Sequence, residues 1–193
     1  AANMKALYDI ALNEHEAPGS PLMESLKVQH ERYSDWQFIA EGGMKRIFRV
    51  YDNTSERYIA LARLHENSES EFYDSFIREA RLTGKLEHPN IMTVHDIGIN
   101  EAGEPYFTME LKKGDSLEEI LRQRRAANEI YLKKYPRQKL LEVFIKICDA
   151  LSYAHARQVI HLDLKPANIQ VGEFGEVLVC DWGLGKILNS QQT

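Results

Sequence analysis

The sequence predicts an α+β fold: an antiparallel sheet carrying one helix, followed by a partly helical second half. Three observations support this. Short β-branched and aromatic runs alternate with turn clusters between Tyr33 and Leu64. Apolar residues recur at helical spacing in residues 72–80 and again in 140–157. Two further apolar runs, Ile169 to Val171 and Val177 to Cys180, flank the turn-prone Gly172-Glu173-Phe174-Gly175-Glu176 and predict a hairpin.

Composition bounds the function before any motif is read. The chain has 193 residues, 44% hydrophobic and 27% charged, which is ordinary for a globular protein with a buried core. A formal net charge of -5 argues against a general nucleic-acid surface, so Lys112-Lys113 and Lys133-Lys134 read as solvated pairs. Cys148 and Cys180 stand alone in apolar runs and are expected to be buried thiols in a reducing compartment. No apolar run reaches membrane-spanning length, and no basic-then-apolar leader opens the sequence. A cytoplasmic protein that binds neither membrane nor nucleic acid is therefore expected.

Residues 4–12 place Met4, Leu7, Tyr8 and Ala11 on one helical face, and Ala17-Pro18-Gly19-Ser20-Pro21 breaks that pattern. This predicts a docking helix and linker over residues 1–31. Strands follow at Trp36 to Ala40, Ile47 to Tyr51 and Tyr58 to Leu64, separated by Glu41-Gly42-Gly43 and Asp52-Asn53-Thr54-Ser55. A helix is expected from Ser68 or Ser70, capped by Ser68 and Glu71, with Phe72, Phe76, Ile77 and Ala80 facing inward. Strands near Ile91 to Ile97 and Pro105 to Leu111 complete a unit over 32–109. In the last unit, 110–193, helices are expected at Ser116 to Ala126 and Leu140 to Arg157. The latter carries Leu140, Phe144, Ile147, Cys148 and Leu151 on a single face.

The hairpin carries the chemistry. Asp163, Lys165, Asn168 and Asp181 bring an acceptor, a cation, an amide and a second carboxylate into one short segment, a set suited to phosphate and magnesium. If Gly172 faces Val177, antiparallel counting sets Asn168 opposite Asp181, with Cα atoms about 5 Å apart.

His161-Leu162-Asp163-Leu164-Lys165-Pro166-Ala167-Asn168 and Asp181-Trp182-Gly183 resemble the catalytic loop and metal-binding motif of the eukaryotic-type protein kinases. Leu162 stands where that family has arginine, and Trp182 where it has phenylalanine. The resemblance runs from about Tyr33 to Ile187 and is closest to bacterial serine/threonine kinases, through Arg78 to Ile91 and Gly42 to Met44. It implies a kinase N-lobe and a shortened C-lobe, with ATP and Mg2+ as weakly bound ligands. Asp163 would receive the acceptor hydroxyl and Lys165 the transferring phosphate, while Asn168 and Asp181 would hold metal. In the nucleotide site it implies Ala40, Gly42 and Lys45 in the glycine-rich loop and Ile47 and Ala60 as roof. Met109 would be gatekeeper, Glu110 and Lys112 hinge groups, and Gln170 a polar floor.

Ala62 takes the place of the phosphate-binding lysine in the third strand, with Arg63 expected on the opposite face. Losing that cation removes a contact worth about 1.5–3 kcal/mol. Kinases of the with-no-lysine type supply it from the glycine-rich loop. Lys45 matches that position, and Glu79 matches the helix glutamate it would meet. Leu162 removes the arginine that contacts a phosphorylated activation segment. His161 and Trp182 read as core packing, in a column with Val94 and Thr83.

The altered positions and the polar ending lead us to expect a degenerate, pseudokinase-like interaction module, self-associating as a homodimer through the apolar helix of residues 140–157. The alternative is a serine/threonine kinase, either minimal or part of a longer chain.

Overall fold

The computed structural model describes residues 32–65, 69, 71–111 and 113–187. The helix expected at 4–12, the Ser68 cap and Lys112 lie outside the described residues.

Five strands form the first sheet, in the order β1-β2-β3-β5-β4. β1 (Tyr33–Glu41), β2 (Lys45–Asp52) and β3 (Arg57–Leu64) make an antiparallel meander. Period-2 alternation divides β3 between two cores. Ala62 and Leu64 join Phe76, Ala80 and Phe107, while Ile59 and Leu61 join Tyr33 and Val50 on the other face. Arg63 lies on that second face, with its guanidinium 4.6 Å from the Phe48 ring centroid.

α1 (Glu71–Gly84) crosses the first of these faces and buries Phe76, Glu79, Ala80, Leu82 and Thr83. Phe72, expected inward, is exposed. Acidic Glu71 and Asp74 begin the helix and Arg81 stands in its last turn, each sign at the end its charge favours. His88 then accepts the Asn90 N–H at Nδ1, 3.1 Å, and fastens the turn that leads into β4 (Val94–Ile99). β5 (Pro105–Met109) inserts between β4 and β3. β4 starts three residues later than the expected Ile91.

The second half opens with β6 (Gly114–Ser116), a strand the residue pattern did not suggest, and α2 (Leu117–Arg125). Ser116 caps α2 by accepting the Glu119 N–H at 3.1 Å. A short α3 (Glu129–Lys134) was also not anticipated. α4 (Arg137–Ala156) buries Val143, Ile147, Ala150 and Ala154. Phe144 and Cys148 fall on its exposed side, so α4 has two apolar faces rather than one. Neither cysteine is in a disulfide, yet Cys148 is exposed and Cys180 half-buried, contrary to the expectation of buried thiols.

After β7 (Val159–Ile160), a 3-10 turn at Pro166–Asn168 leads into β8 (Ile169–Gly172) and β9 (Val177–Val179). β8 pairs with both β6 and β9. The observed partners are Ile169 with Val179 and Val171 with Val177, one residue out from the expected register. Asn168 therefore lies beside Cys180, whose N–H donates to the Asn168 carbonyl at 2.8 Å. A final strand, β10 (Lys186–Ile187), pairs with β7.

Candidate functional site

A cavity of about 380 Å³ opens between the first sheet and the β8-β9 hairpin. Ala40 enters it from the end of β1, Gly42 from the β1-β2 loop, Lys45 and Ile47 from β2, and Ala60 from β3. Glu79 comes from α1, and Met109 and Glu110 follow β5. Asn168, Gln170 and Asp181 close the opposite side. The residue pattern did not single out Met92, Phe107, Ala167 or Cys180, which also line it. Phe107 could have been found from strand pairing, because β5 sets it opposite Ala62.

Lys45 begins β2 opposite Leu64, and its ammonium donates both to Glu79 Oε1 and to Asp181 Oδ1, the latter at 3.2 Å. It also stands 5.8 Å from the Phe107 ring centroid. Burial draws the Lys45 pKa down, but Glu79 and Asp181 outweigh it and hold the group above its ordinary value. Lys45 is thus a cation in the cavity. Glu79 is 9% exposed, and burial pushes its carboxyl up against the pull of Lys45. Ala62 is fully buried and packs with Phe76, Ala80 and Phe107 in the core behind the sheet face rather than lining the cavity.

Asp163 and Lys165 lie outside the cavity lining but are tied to it. Lys165 Nζ donates to Asp163 Oδ2 at 2.8 Å, and Asn168 Nδ2 donates to the same oxygen at 3.1 Å and to the Asp163 carbonyl at 2.8 Å. The Lys165 hydrogen bond, aided by Asn168, holds the Asp163 carboxyl below the usual carboxylate range, and Asp163 raises Lys165 in return. Both partners stay charged near neutral pH.

Backbone strain sits at the two carboxylates. Leu162, next to Asp163, has φ 63°, and Asp181 has φ 61°. The loop is held from below by the buried His161, whose Nδ1 accepts the Asp163 N–H at 3.2 Å and whose Nε2 donates to the Cys180 carbonyl at 2.9 Å. Trp182, fully buried, packs on His161 with ring centroids 4.6 Å apart. One histidine thus braces the backbones beside both carboxylates.

Asn168 and Asp181 suit a magnesium ion that keeps most of its coordination for water and phosphate oxygens, since such ions need only one or two protein ligands. No cluster of three or more metal-binding side chains occurs among the described residues. No described helix is long and apolar enough to cross a membrane.

Residues 33–193 match the protein kinase domain family. The chain is 36% identical over 170 residues to the serine/threonine-protein kinase PknD of Protochlamydia amoebophila, covering 85% of this chain and 17% of that protein. It is 34% identical over 158 residues to the PknD kinase of Chlamydia trachomatis serovar D, covering 79% of this chain and 17% of that protein. The chain therefore spans about a sixth of the length of the curated relatives it matches.

Proposed function

Because this chain belongs to the protein kinase family, we propose that it binds ATP with Mg2+ and contributes the catalytic loop of a serine/threonine kinase, with Lys45 as the phosphate-binding cation. One observation carries this reading: the ammonium of Lys45 faces both Glu79 and Asp181 inside the cavity. Phosphoryl transfer asks the protein mainly to position groups and neutralise charge. Here Lys45 would meet the nucleotide phosphates, and Asn168 and Asp181 the metal. Asp163, already ionised, would accept the hydroxyl proton, while Lys165 would steady the transferring group.

The kinship with named serine/threonine kinases favours this over the degenerate module expected from the substitutions. Those substitutions still set the terms of binding. Gln170 puts an amide under the base site, and Leu162 leaves no arginine beside the catalytic aspartate.

The test is a Mg-ATP titration run alongside a phosphate-transfer assay on the full-length protein, for wild type, Lys45→Ala and Asp163→Asn. The Lys45 variant should bind about 10- to 150-fold more weakly, as expected for losing a charge-assisted contact. Asp163→Asn should keep nucleotide binding and lose transfer. Transfer that survives Asp163→Asn would refute the catalytic assignment, and wild-type protein that binds Mg-ATP without transferring phosphate would return the reading to a non-catalytic module.

The exposed stripe Leu141, Phe144 and Ile145 on α4 supports a further part of the proposal, burial of this face by another polypeptide segment or a second copy. Sedimentation of this chain should show self-association that Phe144→Glu abolishes. A monomer at all concentrations would remove the homodimer.

A further inference from the structure

The cavity wall that carries Lys45 is a loop with little packing of its own. Cβ atoms built at Gly42 and Gly43 would meet nothing closer than the Lys45 carbonyl, at 3.9 Å from Gly42, and Met44 is half exposed. The loop closes on itself through the Gly42 N–H, which donates to the Lys45 carbonyl at 2.8 Å. Besides the pairing of its flanking strands, it is tied to the sheet by His65, the first residue after β3, which does not itself line the cavity. Its backbone N–H donates to the Met44 carbonyl at 3.2 Å. Its ring Nε2 donates to the Gly42 carbonyl at 2.9 Å, and its Nδ1 lies 3.3 Å from Glu41 Oε1. Arg46 Nε approaches the same Glu41 oxygen at 3.5 Å. One residue thus reaches Glu41, Gly42 and Met44.

The backbone contact is one that any residue would supply, but the two ring contacts belong to histidine. We infer that His65 is a positioning residue that holds the β1-β2 loop so that Lys45 faces Glu79 and Asp181. This inference rests on the reading of Lys45 as the phosphate-binding cation. It has a consequence that a general stabilising role lacks: His65 should influence nucleotide affinity only through Lys45.

Two measurements on this chain decide the matter. In nucleotide-free protein, amide hydrogen exchange at residues 42–45 should accelerate about 3- to 10-fold in His65→Ala, the effect of losing a single hydrogen bond from a locally opening loop. His65→Gln, which keeps an N–H donor for the Gly42 carbonyl, should restore most of the protection. Unchanged exchange in the alanine variant, or no recovery with glutamine, would overturn the clamp. In calorimetric Mg-ATP titrations, His65→Ala should weaken binding about 3- to 10-fold on the wild-type background and not at all on Lys45→Ala. Equal losses on both backgrounds would overturn the inference. If Lys45→Ala by itself leaves affinity unchanged, the lysine reading fails, and the exchange rates then decide separately whether His65 holds the loop.

Discussion

At Asp163, charge is set by two donors rather than by burial. Replacing Lys165 with methionine removes the principal cause that holds Asp163 below its ordinary range, so its titration should move upward in a carboxyl 13C NMR titration. The stability linked to this pairing is complete above the ordinary aspartate range and drains away as pH falls through the lowered value, because the unfolded chain takes up the proton first. The Lys165→Met protein should lose less stability over that acid interval. Gln170 gives a second residue-scale outcome. It lies half-buried in the cavity between apolar neighbours, where an amide left without a partner weakens burial of a flat base. Gln170→Leu should tighten nucleotide binding several-fold by calorimetry, and weaker binding would mean that the amide itself contacts the ligand.

Among the elements, caps and close approaches matter most in the short strand-to-helix connection of the second half. Ser116→Ala deletes the acceptor for the Glu119 N–H and should cost about 1 kcal/mol in urea unfolding. Gly114→Ala should cost more, since the backbone holds φ 132° there and an added Cβ would come within 2.1 Å of the Val171 carbonyl oxygen. These connections also show why the residue pattern was readable in some places and not in others. β1 to β3 were legible because alternation and turn chemistry agree in Trp36 to Leu64. The β8-β9 pairing was placed one residue out because the five-residue turn allows two registers. The tighter one is selected by the Gly172 N–H donating to the Glu176 carbonyl. α3 was invisible because its six residues contribute no buried side chain. On α4, Val143 and Ala150 face the core while Phe144 and Cys148 face outward, and a helix apolar on two sides has no phase that periodicity alone can fix. The polar set Asp163, Lys165, Asn168 and Asp181 was plain from spacing. The bracing role of His161 needed the fold, since its two partners lie on different segments.

Over the whole molecule, the cavity lies between the largest of three separately packed cores and the first sheet. The largest one gathers α4, the β8-β9 hairpin and Trp182, and the smaller ones lie on the two faces of the first sheet. A ligand that touches Lys45 and Asp181 together would fasten these bodies, so Mg-ATP at a hundred times its dissociation constant should stabilise the fold by about 2.7 kcal/mol. Thermal scans with and without the nucleotide would show it, and Asp181→Ala should abolish the magnesium-dependent part. The cation of this site stands at the junction of the β1-β2 loop and β2, not on the central strand β3. A lysine on a central strand would stay behind while a covering loop lifted, whereas Lys45 stands where that loop joins β2. If Lys45 holds the nucleotide as proposed, lifting the loop would withdraw the charge together with the cover, making release one concerted departure instead of two sequential ones.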